Sequence, residues 1–238
     1  MQFGRHISGQ FNVELESIRT HMLAMGGLVE EQISLALHAL CKHDYPLAKK
    51  VRENDQKVNQ MEATIGEACT LIIAKRQPTA KDLRLVMAIM KTISDLERIG
   101  DVASKISYVA QESFSHQQET LVIAVEKFGR MAVNMLHQVL DAFARMDVQA
   151  AAQIYKMDDQ LDAENRAVQK LVMDFMMENP ESIPKVMQIV ACAQSIERIG
   201  DRCQNMCEYI IYFVRGKDIR HDKDYLQQLV DEKPRRSQ

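Results

Sequence analysis

The chain is poor in the residues that turn or break regular structure. Its 238 residues include only 5 Pro and 9 Gly, and aromatic residues make up 5% with no Trp. An all-β fold needs frequent turns, so this composition argues against one. The 15 Met, together with Leu, Ile and Ala, are typical of a core between helices. We therefore predict an all-α protein.

Long apolar segments are also missing. No run approaches 18 apolar residues, so we expect no transmembrane helix. The opening residues, MQFGRH, lack the apolar segment of a signal peptide, and the 5 Cys are an odd number. These features predict reduced thiols and a cytoplasmic location. The net charge of −3 shows no basic excess, so nucleic acid is not an expected partner.

The chain contains an internal repeat. The pentapeptide ERIGD occurs at residues 97–101 and again at 197–201, an offset of 100 residues. A second set of identities lies at an offset of 103, and it pairs Leu37, Ala39, Asp44, Ala48 and Asp55 with Leu140, Ala142, Asp147, Ala151 and Asp158. We predict a first repeat over residues 1–115, a second over 116–215 and a polar C-terminal tail over 216–238.

Each repeat is predicted to form a three-helix bundle, and the two bundles are expected to be related by a pseudo-twofold axis. Turn residues around Pro78 and Pro180 separate long segments with apolar residues every three or four positions. The predicted helices cover residues 12–41, 47–76, 80–111, 120–145, 148–177 and 184–214. Residues 113–119 are predicted to be the linker, and the tail is predicted to be mobile apart from one short helix near 225–230.

Acidic residues cluster on the third predicted helix of the first repeat, over residues 80–111. Glu97 and Asp101 are four residues apart, so they share one face of a helix. If the chain reverses between residues 77 and 78, Asp55 lies opposite position 100 and Asn59 lies opposite position 96. The two helices therefore bring acidic and amide groups to one height.

The second repeat presents the same arrangement, with Asp158 and Asp162 opposite the acids of its own ERIGD motif. A third residue lies on the same face of each helix, and the three residues form one stripe along it: Asp55, Asn59 and Glu62 in the first repeat, and Asp158, Asp162 and Asn165 in the second. Each stripe therefore contains two acids. The predicted ligands are Asp55, Glu62, Glu97 and Asp101 in the first repeat, and Asp158, Asp162, Glu197 and Asp201 in the second.

Crowded carboxylates without neighbouring Lys favour a hard cation. Their oxygen donors predict a divalent or trivalent metal ion and leave Mg²⁺, Mn²⁺, Ca²⁺, iron and Zn²⁺ open. The alternative is a solvated acidic face. Arg98 and Arg198 either neutralise these acids or bind phosphate. Because Asn59 is a neutral ligand, we expect the second site to bind metal more tightly than the first.

Other patterns point to packing. Cys203 and Cys207 lie on the core side of their helix with no matching His, so we predict core thiols and no zinc site. Gly100 and Gly200 interrupt predicted helices, which indicates a close approach of two helices beside the acids. The Met-rich run at 173–177 is predicted to fill the core.

Three functional classes remain on these grounds: a metal-binding signalling adaptor, a carboxylate-bridged metalloenzyme of the di-iron oxidase or phosphatase type, and a structural helical repeat. The enzyme needs His ligands or a positioned nucleophile, and neither pattern is visible, so we expect a non-enzymatic protein. In particular, none of the 7 His follows a Glu by three residues, as the ligands of ferritin-like di-iron bundles do. Metal content would separate the adaptor from the structural repeat.

The sequence resembles the PhoU family of phosphate-specific transport accessory proteins. The residues that carry the resemblance are the motifs at 95–101 and 195–201, Arg76-Gln77-Pro78 and the opening residues 6–11. The resemblance spans about residues 5–215. It implies two three-helix bundles with multinuclear metal clusters and a cytoplasmic, often dimeric regulator. It carries over seven of the predicted ligands, whereas Glu62 rests on the helical stripe alone.

The resemblance also implies a role and partners. Such proteins are negative regulators of phosphate-starvation signalling, which controls the Pho regulon, and modulators of phosphate transport. The partners implied are a second copy of the chain, the ATPase subunit of a phosphate ABC transporter and a membrane sensor histidine kinase. Peripheral association with the membrane is left open.

Overall fold

The computed structural model describes residues 9–220 and 222–231, apart from the side chain of Lys223. Within these ranges all regular structure is helical, which confirms the all-α prediction. The helices are α1 (Gly9–Lys42), α2 (Tyr45–Arg76), α3 (Ala80–Val109), α4 (His116–Arg145), α5 (Val148–Tyr155), α6 (Asp158–Glu178), α7 (Ile183–Arg215) and α8 (Lys223–Asp231). Residues 6–8 of the opening motif and His221 lie outside the described residues.

The helices form two bundles joined side by side. Helices α1, α2 and α3 pack against one another, and α4 packs with α7 and the α5–α6 pair. Two further contacts, α1 with α4 and α3 with α7, join the bundles. One continuous apolar core runs through both, with Phe128, Phe143 and Phe213 among its largest fully buried side chains.

The repeat is visible in the turns that start the second helix of each bundle. His43 and Met146 end α1 and α4 in the left-handed conformation, with φ of 52° and 55°. The next residue caps the following helix in both turns. Asp44 accepts a hydrogen bond from the Leu47 amide at 3.0 Å, and Asp147 accepts one from the Ala150 amide at 3.0 Å. These caps satisfy amide groups that have no partner within the helix.

The predicted continuous helix over residues 148–177 is wrong, because the chain breaks it into α5 and α6. At the break the amides of Lys156 and Met157 bond to carbonyl groups only three residues back, at 3.2 and 2.9 Å. Such bonds tighten the chain and end an α-helix. Asp158 therefore begins a new helix, whereas its repeat partner Asp55 lies within α2.

The linker between the bundles is shorter than predicted, because α4 begins at His116 and not near residue 120. Ser115 and Gln118 form a capping box, in which the Ser115 amide donates to Gln118 Oε1 at 2.9 Å. This reciprocal cap satisfies two amides at the helix start and adds a turn to α4.

The described part of the C-terminal tail folds back onto the second bundle. Helix α8 packs against α5, and Lys156 Nζ donates a hydrogen bond to Gln227 Oε1. Ile219, Leu226 and Leu229 are buried in this contact region. The short predicted helix near residues 225–230 is confirmed, and the described tail residues are anchored by apolar contacts.

Helices α1 and α4 cross with a reciprocal exchange of small and large residues. A Cβ atom on Gly26 would lie 2.5 Å from Leu140 Cδ2, and one on Gly129 would lie 2.5 Å from Leu37 Cδ2. Gly26 and Gly129 are repeat partners, as are Leu37 and Leu140. The contact therefore obeys the predicted pseudo-twofold relation, with each bundle supplying the same glycine and the same leucine.

This exchange predicts opposite effects at two adjacent glycines of α1. Gly26→Ala forces Leu140 to move in a packed core, so we expect the free energy of unfolding to fall by about 1–2 kcal/mol. Gly27 is exposed, and a methyl group added to it would meet nothing within 4 Å, so Gly27→Ala should raise it by up to about 1 kcal/mol. Urea unfolding of both variants measures the difference, and equal effects would contradict the close contact.

Candidate functional site

The first acidic group lies between α2 and α3. Burial and the charge of Asp101 raise the pKa of the Asp55 carboxyl. Burial also raises the pKa of Glu97, followed by the charges of Asp101, Glu62 and Asp55, while Arg98 acts in the opposite sense. Carboxylates influence one another in this way only at short range. The four predicted acids of this repeat are therefore electrostatic neighbours.

The second acidic group lies between α6 and α7 and is more strongly perturbed. Burial, with the charges of Asp162, Asp201, Asp159 and Glu197, raises the pKa of Asp158 from 3.8 to about 6. This rise occurs although Asp158 lies in the first turn of α6, where the helix dipole favours a carboxylate. Crowding of acids in a partly buried place therefore outweighs the dipole.

Its partners on α7 show the same crowding. The pKa of Glu197 is raised by burial and then by Asp201 and Asp162, and Arg198 opposes the rise. Desolvation and Asp162 raise the pKa of Asp201, while Arg202 and Arg198 lower it. The charges of Arg98 and Arg198 thus act on the acids of their own repeats, which favours the first of their two predicted roles, neutralisation of these acids.

The glycines of the two ERIGD motifs lie where the helices come closest. A Cβ atom on Gly100 would lie 3.2 Å from Val58 Cγ1. One on Gly200 would lie against Asp158 Oδ1 and 2.7 Å from Leu161 Cδ2. The predicted close approach beside the acids is confirmed. In the first repeat the register differs from the prediction, because Gly100 faces Val58, almost one turn beyond Asp55.

This register changes the roles of the third residues on each stripe. Asn59 is exposed, whereas Glu62 is partly buried and is one of the charges that raise the pKa of Glu97. In the second repeat Asn165 is buried, and its Oδ1 atom has no hydrogen-bond partner. Glu62 therefore fits the first acidic group better than Asn59 does.

The donor chemistry of both groups fits a hard cation, since every candidate ligand is a carboxylate. Among the described residues, however, no three His, Cys, Asp or Glu side chains are gathered so that they could hold a metal ion as they stand. Each group is a neighbourhood of acids on two facing helices. Metal binding there requires side-chain rotation that brings the oxygen atoms together.

The raised pKa of Asp158 predicts how stability varies with pH in chelator. Its folded pKa of about 6 exceeds the ordinary 3.8, so the folded state holds the proton more tightly. The resulting stabilisation is complete below about pH 4 and is lost as the pH rises to about 6. Asp158→Asn should flatten this slope, while Asp174→Asn at an exposed position on the same helix should keep it, because Asp174 is not among the charges that raise the pKa of Asp158. Urea unfolding across this range provides the measurement, and equal slopes in both variants would contradict the assignment.

The predicted packing roles hold for the cysteines and only in part for the methionines. Cys203 and Cys207 are buried, free thiols, as predicted for core residues. Of the Met-rich run, Met176 packs against the core, but Met173 is 60% exposed and Met177 is 71% exposed. The latter two lie on the outer side of α6, so the prediction of core filling is wrong for them.

A buried polar cluster that the sequence did not predict lies between the bundles. Asp95 on α3 is 4% exposed, and it accepts hydrogen bonds from Arg202 Nη1 at 3.1 Å and from the Tyr209 hydroxyl at 3.0 Å, both on α7. The Lys91 ammonium lies 5.3 Å from the centre of the Tyr209 ring. The available signal was a break in the repeat, because Ser195 occupies the position that matches Asp95.

The chain is similar to known proteins along most of its length. The family model described as the PhoU domain matches twice, at residues 22–110 and 125–210. The chain belongs to the PhoU family. The phosphate-specific transport system accessory protein PhoU of Serratia marcescens is 57% identical over 231 residues, which cover 97% of this chain and 95% of that protein. The PhoU protein of Escherichia coli K12 is 56% identical and covers 93% of this chain and 92% of its own length.

Solved PhoU structures share the fold. A crystal structure of PhoU from Pseudomonas aeruginosa superposes with a TM-score of 0.81 at 43% identity, covering 87% of this chain and 100% of that one. The phosphate transport system regulatory protein PhoU from Streptococcus pneumoniae gives a TM-score of 0.78 at 30% identity, covering 87% and 98%. The paired helical bundles are therefore a PhoU architecture.

Proposed function

We propose that this protein is a metal-binding cytoplasmic regulator of phosphate homeostasis, which restrains phosphate-starvation signalling and modulates phosphate transport. The relatives from Serratia marcescens and Escherichia coli, which match more than nine-tenths of the chain, are named as accessory proteins of a phosphate-specific transport system. That name supports a regulatory role and not a catalytic one.

The observation that carries the metal-binding part is the pairing of acids across two helices in both repeats. Each group combines carboxylates from two facing helices, and these carboxylates raise the pKa of their neighbours. A divalent or trivalent ion would relieve this repulsion, and Mg²⁺, Mn²⁺, iron and Zn²⁺ are the candidates. In this proposal the ion stabilises the α2–α3 and α6–α7 pairs.

Protein contacts would transmit the signal. No described helix is both long enough and apolar enough to cross a membrane. We propose that the chain forms a homodimer and binds the ATPase subunit of a phosphate ABC transporter and a membrane sensor histidine kinase, which would bring it to the membrane surface. The outer faces of the long helices are the surfaces available for such contacts.

A complementation experiment tests the regulatory role. The chain would be expressed in a bacterium that lacks its own PhoU protein and carries a reporter of phosphate starvation. We expect the reporter to be repressed again in phosphate-rich medium, and we expect the transporter ATPase to be recovered with the affinity-tagged chain. A folded, expressed chain that leaves the reporter active would contradict the proposal.

Metal content is measured separately, on protein purified without chelator or a metal-affinity column. Elemental analysis should find metal at a stoichiometry that Glu197→Ala combined with Asp201→Ala reduces. Protein that carries no metal and binds none on titration would contradict the metal-binding part and leave the regulatory part intact.

The two repeats should differ in affinity. In the first group Glu62 is partly buried and lies about one turn beyond Asn59 and about two turns beyond Asp55, so its longer side chain would have to reach back toward the other acids, and the exposed Asn59 contributes no charge. We expect calorimetric titration of metal-free protein with Mn²⁺ to show a tighter second site, by roughly tenfold. Glu62→Ala should weaken the first site, and Asn59→Asp should tighten it. If Asn59→Asp leaves the weaker site unchanged, residue 59 does not face the metal and Glu62 alone completes the first group.

A further inference from the structure

A cleft lies between α6 and α7 in the second bundle. It runs from Asn165 and Gln194 to Met176 and Met187, beside the hairpin turn, and its volume is about 310 Å³. The rest of its lining is mostly apolar, and a pocket of this size with few polar groups is typical of a ligand site. None of the lining residues is one of the predicted metal ligands, so the cleft is distinct from the acidic groups.

The cleft lies where the two repeats differ in the size of their side chains. In the first repeat the buried Ile93 of α3 packs toward Gly66 of α2, and its Cδ1 atom lies 3.9 Å from the place where a Cβ atom of Gly66 would be. The matching residues of the second repeat are Ala193 and Gln169, and both line the cleft. Because alanine is smaller than isoleucine, the space that Ile93 fills in the first repeat stays open in the second.

Apolar side chains continue from the cleft onto the protein surface. Met173 and Met187 line the cleft, yet they are 60% and 50% exposed. Met177, four residues beyond Met173, is 71% exposed. Flexible methionine side chains adapt to apolar partners and are frequent on binding surfaces. Exposed apolar side chains gathered beside a cleft mark an interaction site.

Asn165 gives a second, independent reason to expect a ligand. It lines the cleft and is only 9% exposed, and its buried Oδ1 atom has no hydrogen-bond partner among the described residues. A buried acceptor without a donor destabilises the protein. A ligand that donates a hydrogen bond at this end of the cleft would remove that penalty.

Two cations border the cleft. Arg166, Lys170, Met173 and Met177 follow one another at intervals of three or four residues, so they form one exposed stripe along α6. The stripe is apolar at the hairpin end and positively charged at the end near Asn165. A complementary partner therefore has apolar groups at the first end and negative charge beside the second.

We propose that this cleft binds an amphipathic helix of a partner protein, with apolar side chains in the cleft, a hydrogen-bond donor at Asn165 and acidic residues beside Arg166 and Lys170. From Asn165 to Met176 the cleft follows α6 for about 16 Å, which equals three turns of a partner helix. Anchors at positions i, i+3 or i+4 and i+7 fit this length. The inference rests on the proposed function only in taking the partner to be a transport or signalling protein.

Fluorescence anisotropy with labelled synthetic peptides tests the docking. The probe is an amphipathic peptide of about fifteen residues, with Leu at the anchor positions, Ser at the end that meets Asn165 and Glu along one flank. We expect it to bind the wild type. Ala193→Ile should lower the affinity at least tenfold, because isoleucine fills the cleft as Ile93 does in the first repeat. Ala167→Ile adds the same side chain on the exposed far side of α6 and should leave the affinity unchanged.

Two exchanges test the polar part and do not depend on the folding of Ala193→Ile. Arg166→Glu combined with Lys170→Glu alters exposed residues only. It should turn a roughly fivefold preference for the Glu-flanked peptide into a preference for the same peptide with Lys flanks. Asn165→Ala should remove an advantage of about three- to tenfold that Ser has over Ala at the peptide's polar anchor.

Failure of both peptides to bind the wild type, or equal losses with Ala193→Ile and Ala167→Ile, would overturn the proposal. So would evidence for another occupant. If Ala193→Ile converts a dimer into a monomer in analytical ultracentrifugation, a second copy fills the cleft. If it weakens sedimentation with phosphatidylglycerol vesicles, a lipid surface does. A chain that binds the peptide but fails to repress the phosphate-starvation reporter would count against the proposed function alone.

Discussion

Replacing Asp95 by Ala is expected to lower the free energy of unfolding by about 2–4 kcal/mol. The substitution leaves the Arg202 guanidinium, whose side chain is 22% exposed, without its buried partner. It also deprives the Tyr209 hydroxyl of its acceptor. Breaking one side of a buried ion pair is severe because the remaining charge stays desolvated. Urea unfolding monitored by circular dichroism measures the change.

An exposed ion pair on α4 provides the control. Asp141 and Arg145 lie 2.6 Å apart with side chains 49% and 60% exposed. Asp141→Ala should change the free energy of unfolding by no more than about 0.5 kcal/mol. If Asp95→Ala has an effect as small as Asp141→Ala, the buried cluster does not hold the bundles together.

The combined replacement of Glu197 and Asp201 by Ala should have the largest effect on metal-dependent stability. At an ion concentration one hundred times the dissociation constant, binding stabilises the folded state by about 2.7 kcal/mol, or about 5–10 °C in melting temperature for a chain of this size. The double variant should lose the share of this gain that comes from the second repeat. Without metal it should melt above the wild type, because crowded acids have been removed.

Matched acids on the same hairpin separate this effect from a general loss of charge. Asp174 and Glu178 are also four residues apart, and both are exposed on α6 away from the acidic group. Their replacement by Ala should leave the metal-induced rise in melting temperature unchanged. An unaltered metal stoichiometry in the Glu197→Ala, Asp201→Ala variant would rule out the second acidic group as the metal site.

The helices could be predicted because apolar spacing and turn residues agree along most of the chain. Prolines 78 and 180 mark the two hairpin turns, and the observed helices α2, α3 and α7 lie close to the predicted limits. The break before Asp158 could not be predicted, since no Gly or Pro marks it. It is formed by backbone hydrogen bonds to carbonyl groups three residues back. The early start of α4 was readable in the Ser115 and Gln118 capping box.

The acidic groups could be predicted from the sequence, because the spacing of residues along a helix and their pairing across a helical hairpin follow regular geometry. The exact register of α2 against α3 in the first repeat could not be predicted, since side-chain packing sets it. Here Val58 packs against Gly100. The Asp95 cluster depends on contact between helices from different repeats, for which spacing along one helix contains no information. Its trace in the sequence is the difference between Asp95 and Ser195 at matching positions of the two repeats.

The exchange of Gly26 with Leu140 and of Gly129 with Leu37 has a consequence for the origin of the chain. Two identical half-length chains could make this contact with each other, because each would supply the same glycine and the same leucine. The present interface thus has the form of an ancestral symmetric dimer whose subunits were fused. In a single chain each half can diverge separately, and an asymmetric pair such as Asp95 with Arg202 is a change that a symmetric dimer could acquire only in duplicate.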